Sequence, residues 1–239
     1  MIVYGRNPVR EALRGPRQVT QVWASHGAAR EPWLLEHEPR LSVVGPEELD
    51  RRAGTTAHQG LCADVSPFHY ASGESLLGGE RGVIVALDQV QDPQNLGAIC
   101  RSAECAGALG VVITERRAAE VTPAVCKASA GAVEHLPVAR VRNLTDFLEH
   151  AKRASWWCYG ADGGAPQRYD AVDYGERVVL VLGAEGHGLR PRVAAACDAL
   201  VSIPLLGRIE SLSVGAAAAI LLYAAANSSS GLDRERTAM

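Results

Sequence analysis

The sequence predicts an α/β protein with a parallel sheet covered on both faces, preceded by a smaller α/β unit. Two observations carry this. Past residue 80, apolar runs alternate with helix-period segments, and runs such as Val83 to Leu87 and Val178 to Leu182 are apolar at every position. Strands buried on both faces read this way, whereas half-exposed strands alternate. Before them, residues 67–80 are rich in Ser, Gly and short polar side chains, the composition of a linker. The expected division is a small domain at 1–66, a linker at 67–80 and a main domain at 81–239.

In the small domain, Asn7-Pro8 reads as a helix start, with Asn as cap and Pro at the first position, followed by a short stripe of Val9, Ala12 and Leu13. Residues 19–24 and 41–44 read as strands and 46–52 as a helix. His58-Gln59-Gly60 precedes a strand at 61–65. In the main domain, strands are expected at 82–87, 109–114, 136–141, 155–159, 177–182 and 200–203. Helices are expected at 95–106, 122–130, 144–153, 190–196 and from 214 to about 226. Ligands of such sheets bind at the carboxyl ends of strands.

Composition bounds the function. The 239 residues are 47% hydrophobic and 21% charged, enough for one sizeable core and a small second domain. The longest apolar run, 214–226, is too short to span a bilayer, and the first residues lack the pattern of a signal peptide, so a cytoplasmic protein is expected. The six cysteines form no CxxC pair; no metal site is expected, and they read as small hydrophobes. The net charge of -3 argues mildly against nucleic acid. Yet only Lys127 and Lys152 are lysines, and arginine, the better phosphate ligand, clusters at Arg6/Arg10/Arg14/Arg17, Arg51/Arg52, Arg116/Arg117, Arg140/Arg142 and Arg190/Arg192.

Three stretches at strand ends carry chemistry. The first runs from Asp88 through Asp92-Pro93 into a helix with Asn95, Leu96, Gly97 and Arg101. Arg101 either stands over space left by Gly97 and Ala98 or makes an i,i+3 surface pair with Glu104. The second is the turn Gly183-Ala184-Glu185-Gly186-His187-Gly188, where bare backbone can approach a ligand; it lacks GxGxxG spacing and a Walker lysine. The third runs from Ile203-Pro204 to Ser211-Leu212-Ser213, where the serines either serve a site or only cap the last helix.

In this order and spacing, Asn95-Leu96-Gly97 with Arg101, Gly183 to Gly186, and Ile203-Pro204 with Ser211-Leu212 resemble the SpoU (TrmH-like) family of RNA ribose 2′-O-methyltransferases. Lys127 to Glu134 is similar to the family's intervening segment. Tyr4 to Val9 and His58-Gln59-Gly60 resemble the small RNA-binding domain of the subgroup that modifies a guanosine of 23S ribosomal RNA.

The resemblance implies a SPOUT domain whose chain threads a C-terminal trefoil knot, S-adenosylmethionine as cofactor, RNA as substrate and a homodimer whose sites use residues of both subunits. It implies that Gly183, Gly186, Ile203, Leu205, Leu212, Ser213 and Thr114 hold the cofactor. Arg101 is implied to be the catalytic group, oriented with the target nucleotide by Asn95, Glu185 and Ser211. Glu185 can equally cap local backbone amides. One position departs: Ser213 stands where the family has asparagine. A noncatalytic RNA-binding protein on the same scaffold, and a tRNA or another rRNA site as substrate, stay open.

Overall fold

The computed structural model describes residues 1–35 and 40–230. In the small domain, β1 (Ile2–Tyr4), β2 (Val19–Ala24), β3 (Leu41–Val43) and β4 (Leu61–Val65) form a sheet in the order β1-β4-β2-β3, with only β2 and β3 parallel. Helix α1 (Arg6–Arg14) buries Pro8, Val9 and Ala12. It starts before the expected Asn7 cap: Gly5, at φ 100°, is the cap and makes no side-chain bond. The chain turns into the helix directly from β1, with the Gly5 amide donating to Leu61 O at 2.9 Å, which leaves Asn7 inside the first turn. Helix α2 spans Pro32–Leu35. Helix α3 (Pro46–Ala53) has proline at its start, Glu47 and Glu48 in the first turn and Arg51 and Arg52 in the last, a charge order that suits the helix dipole.

The stretch expected to be a linker is structured. Ala71–Ser72 form β5, and Ser72 then caps α4 (Gly73–Leu77) by accepting from the Ser75 amide at 3.1 Å. Leu76, buried, ties α4 to the main core. Small polar residues here serve as caps and turns, so composition alone misread the segment.

The main sheet is parallel throughout. Its strands β6 (Gly82–Asp88), β7 (Gly110–Thr114), β8 (Val138–Val141), β9 (Trp157–Ala161), β10 (Arg177–Gly183) and β11 (Ala199–Val201) join β5 in the order β11-β9-β10-β6-β7-β8-β5. The chain builds outward from β6 to β8, returns to place β9, and inserts β10 between β9 and β6. The order reverses between β6 and β10, where a ligand crevice belongs. Their register runs from Gly82 opposite Arg177 to Asp88 opposite Gly183, so both strands end at one level.

On one face lie α5 (Pro93–Cys105), α6 (Pro123–Ala128) and α9 (Val214–Ser230); on the other, α7 (Leu144–Arg153) and α8 (Pro191–Ala196). Asp92 caps α5 by accepting from the Gln94 amide at 2.9 Å, with Pro93 next. Asn143 caps α7 likewise. The small domain docks on α6 and the turn after it. There Arg17 and Glu134 form a buried ion pair, Arg17 also donates to Ser66 O at 3.1 Å, and Lys127 Nζ donates to Gln59 Oε1 at 2.7 Å. Arg17 thus helps to hold the two domains together, unlike exposed Arg6 and Arg14 of its cluster. No helix among the described residues is long and apolar enough to cross a membrane.

Candidate active site

The carboxyl end of β10 makes a tight hairpin. The Gly188 amide donates to Ala184 O at 3.0 Å, closing an antiparallel bridge between Ala184 and Gly188. The returning strand lies so close that a Cβ on Gly183 would sit 2.0 Å from Gly188 C and 2.1 Å from Gly188 O. Only glycine fits there. Two residues beyond the hairpin, Arg190 fastens the loop to the end of β6. Its amide and its Nε donate to the two Asp88 carboxylate oxygens at 2.9 and 2.7 Å. Asp88 is 1% exposed, and these charge-assisted bonds satisfy a carboxylate that burial would otherwise penalise.

The start of α9 faces this hairpin. Glu185 Oε1 accepts from the Val214 amide at 3.4 Å, and Ser213 Oγ from the Ala216 amide at 3.2 Å. Both side chains therefore serve donors that a helix start leaves unpaired. Helix α5 packs across the same end of α9: a Cβ on Gly215 would lie 3.2 Å from Ala98 Cβ and 4.0 Å from Asn95 Oδ1. The structure thus brings Asn95, Glu185 and Ser213 to one helix terminus.

Between the ends of β9, β10 and β11 and the start of α9 lies a cavity of about 380 Å³, within the range of small-ligand sites. Gly183, Glu185, Gly186, Ile203, Leu205, Ser211 and Leu212 line it. Its walls are apolar, and its charged lining residues are Asp162, Glu185 and Glu210, with no basic side chain. That charge set suits a ligand with an apolar body and a cationic centre; phosphates would be repelled. Ser211 is exposed and has no hydrogen-bond partner among the described residues.

Asp162 and Glu210 were missed in the sequence. Asp162-Gly163-Gly164 carries the signal used elsewhere, an acid and glycines after an apolar strand, but β9 extends two residues past its expected end.

Four expected site residues stand outside this cavity. Thr114 ends β7, on the far side of β6 from β10; its hydroxyl donates to Arg116 O at 2.8 Å and it lines a different cleft. Ser213 caps α9 through the Ala216 amide and is not among the residues that line the cavity. Asn95 lies behind the α9 terminus. Arg101 is exposed on α5 and has neither the Glu104 pair nor any other partner among the described residues. The space expected beneath it is not left by Gly97: a Cβ there would meet Ala128 Cβ at 2.3 Å, because α5 rests directly on α6.

The buried thiols are held in the neutral form. Burial pushes Cys100 up to about 12, and Cys62 and Cys126 up to about 11. They pack as hydrophobes.

The family model described as SpoU rRNA Methylase matches residues 82–223, and that described as RNA 2′-O ribose methyltransferase substrate binding matches residues 2–71. An uncharacterized tRNA/rRNA methyltransferase of Synechocystis sp. is 37% identical over 93% of this chain; the chain spans 61% of that relative's length. A protein of Bacillus subtilis provisionally named a TrmH family tRNA/rRNA methyltransferase is 36% identical over 92% of this chain and 93% of its own. Among solved structures, an AdoMet-bound rRNA methyltransferase of Sinorhizobium meliloti superposes with a TM-score of 0.78 at 26% identity, covering 94% of this chain and 85% of that one. The SpoU methyltransferase AviRb of Streptomyces viridochromogenes, in complex with AdoMet, shares the fold with a TM-score of 0.79 at 24% identity, covering 99% and 90%. With α/β architecture, parallel sheet, leading small domain and family match in agreement, the chain belongs to the SpoU rRNA methylase family.

Proposed function

We propose that the chain methylates a ribose 2′-hydroxyl of RNA using S-adenosylmethionine, and that the target is a guanosine of 23S ribosomal RNA. The cavity at the Gly183 hairpin carries this reading: apolar walls, accessible backbone and three carboxylates fit a ligand that joins an adenosine and a methionine through a cationic sulfur. The AdoMet complexes of similar fold support it. The bound cofactor supplies an electrophilic methyl carbon. Ser211, free within the cavity, orients the ribose, and near-attack geometry then lowers the barrier. Glu185 fixes the start of α9, which forms one cavity wall.

Arg101 acts as a fixed positive charge, since a guanidinium does not deprotonate in proteins. It positions a phosphate and stabilises the developing alkoxide, while the hydroxyl proton leaves to phosphate or water. Arg101 does not line its own chain's cavity, so in this reading it reaches the reaction from a second subunit. Exposed Leu206, Ile209 and Tyr223 (96, 76 and 49%) support a homodimer. The trefoil knot belongs to the same reading: α9 returns against α5, β6 and β10 after the chain has left β11.

Ser213 favours the competing reading, a noncatalytic RNA-binding protein, because its short side chain is occupied as a cap. Calorimetric titration with S-adenosylmethionine separates the two: saturable binding is expected, and none would remove the enzyme. Mapping methylated riboses in RNA from a deletion strain identifies the target. A lost methyl in tRNA would move the substrate, and intact methylation throughout would favour the noncatalytic protein.

A further inference from the structure

A second concavity, of about 970 Å³, opens on the same carboxyl edge of the sheet. Arg116, Arg117, Arg142, Arg190 and Arg192 line it against a single acid, Asp146. In a chain of net charge -3 this is a strong local excess. All five arginines are exposed. Arg190 holds Asp88, but Arg116, Arg117, Arg142 and Arg192 have no ion-pair or hydrogen-bonding side-chain partner among the described residues. Two lining residues, Gln89 and Arg117, sit at φ 61° and 57°. Left-handed backbone at non-glycine residues is disfavoured sterically and collects where function maintains it. The Thr114 hydroxyl, bonded to Arg116 O, fixes the Arg116-Arg117 turn.

We propose that this cleft holds consecutive backbone phosphates of the RNA strand whose ribose enters the cavity; the proposal rests on the function above. The arginines rise from the ends of β7 and β8 and from the start of α8, which follows β10. From β8 through β7 and β6 to β10 is three strand spacings, about 14 Å. That row is longer than one phosphate and suits a chain of them. Planar guanidinium forks bind phosphate bidentately without reading bases, so the cleft supplies affinity and register. The last arginine of the row, Arg190, is two residues from Gly188 of the cavity hairpin, which places the track beside the reaction centre.

The test uses full-length protein and a labelled mixed-sequence single-stranded RNA oligonucleotide, with affinity read by fluorescence anisotropy against salt concentration. Arg116→Ala/Arg142→Ala/Arg192→Ala should weaken binding at low salt at least on the order of tenfold, and flatten log K against log salt by about 2, from about 0.7 per single-strand phosphate contact. Arg81→Ala, at the opposite edge of the sheet, should change neither. S-adenosylmethionine titration of the triple variant should match the wild type, which also shows that the fold is kept. Equal RNA affinity and slope for the triple variant and wild type would overturn the cleft and leave the proposed function standing. Wild-type protein that binds S-adenosylmethionine but no RNA would also overturn it. So would saturable calorimetric binding of inorganic pyrophosphate by protein that shows no RNA binding, which would mark a small-anion site. Failure to bind S-adenosylmethionine, with RNA binding still sensitive to the triple variant, would instead sink the methyltransferase and keep the track.

Discussion

Replacing Gly183 by alanine isolates the hairpin that walls the cavity. The new Cβ would lie 2.0 Å from Gly188 C, 2.1 Å from Gly188 O and 2.4 Å from Leu189 N. All three are backbone atoms, so no rotamer change relieves the clash. Ordinary contact starts at 3.4 Å, so the returning strand must retreat by roughly 1.4 Å, more than a well-packed interior absorbs. Overpacking of this kind costs about 1–3 kcal/mol. Loss of the Gly188–Ala184 hydrogen bond adds about 1 kcal/mol. At about 2–4 °C per kcal/mol for a chain of this size, the midpoint of thermal unfolding should fall by roughly 5–15 °C, and S-adenosylmethionine affinity should fall with it.

Two neighbours serve as controls. A Cβ on Gly186 meets nothing within 4 Å, but φ is 76°, so Gly186→Ala should cost only about 1–2 kcal/mol of backbone strain. Gly207→Ala has open space and no such φ and should be neutral. Scanning fluorimetry and calorimetry read all three. Equal Tm and affinity for Gly183→Ala and Gly207→Ala would refute the close-approach argument.

Further outcomes follow from the buried charges and thiols. Arg17→Ala leaves Glu134, whose side chain is fully buried, without its partner; a loss of about 3–5 kcal/mol is expected in chemical denaturation, with Arg17→Met/Glu134→Leu recovering most of it. Asp88→Ala removes the anchor of the Arg190 loop and should cost about 2–3 kcal/mol, while Asp88→Asn keeps part of it; equal stability of all three proteins would count against the anchor. Burial pushes the folded thiols of Cys62, Cys100 and Cys126 up to about 11, 12 and 11 from their ordinary 9.0. The protonated form is favoured on folding, so this stability is fully present below pH 9 and is lost as pH climbs toward 11–12; a flat unfolding midpoint across that window would contradict it. Native alkylation near pH 8 should label exposed Cys105 first and leave Cys62, Cys100 and Cys126 unreacted, as peptide mass analysis would show.

The large sheet was legible because its strands are apolar at every position, a pattern that needs no partner information. Strand β1 escaped because three residues hold no period, and β5 with α4 because Ser72 and Gly73 look like loop residues until Leu76 is seen in the core. Asn7-Pro8 satisfied a local capping rule that the path of the chain out of β1 overrode. At the site, Gly183 was legible as bare backbone, yet what its missing Cβ admits is first of all the Gly188 backbone. Sheet order was not legible, and it decided which strand ends share a cavity. Asp162 and Glu185 line one cavity because β10 lies beside β9, and Thr114 parts from them because β7 lies beyond β6.

The same sheet order sets a schedule for synthesis. Strand β6 finds β7 as soon as residues 110–114 leave the ribosome, but its other edge waits for β10 at 177–183. For about ninety residues of translation, some 5–20 s at ordinary elongation rates, the most central strand of the nascent chain offers an unpaired edge, apolar from Val83 to Leu87. Such an edge is a template for association with other chains. Slow elongation between 114 and 177, or crowding of many nascent copies on one message, would therefore tax this protein's yield more than its finished stability suggests.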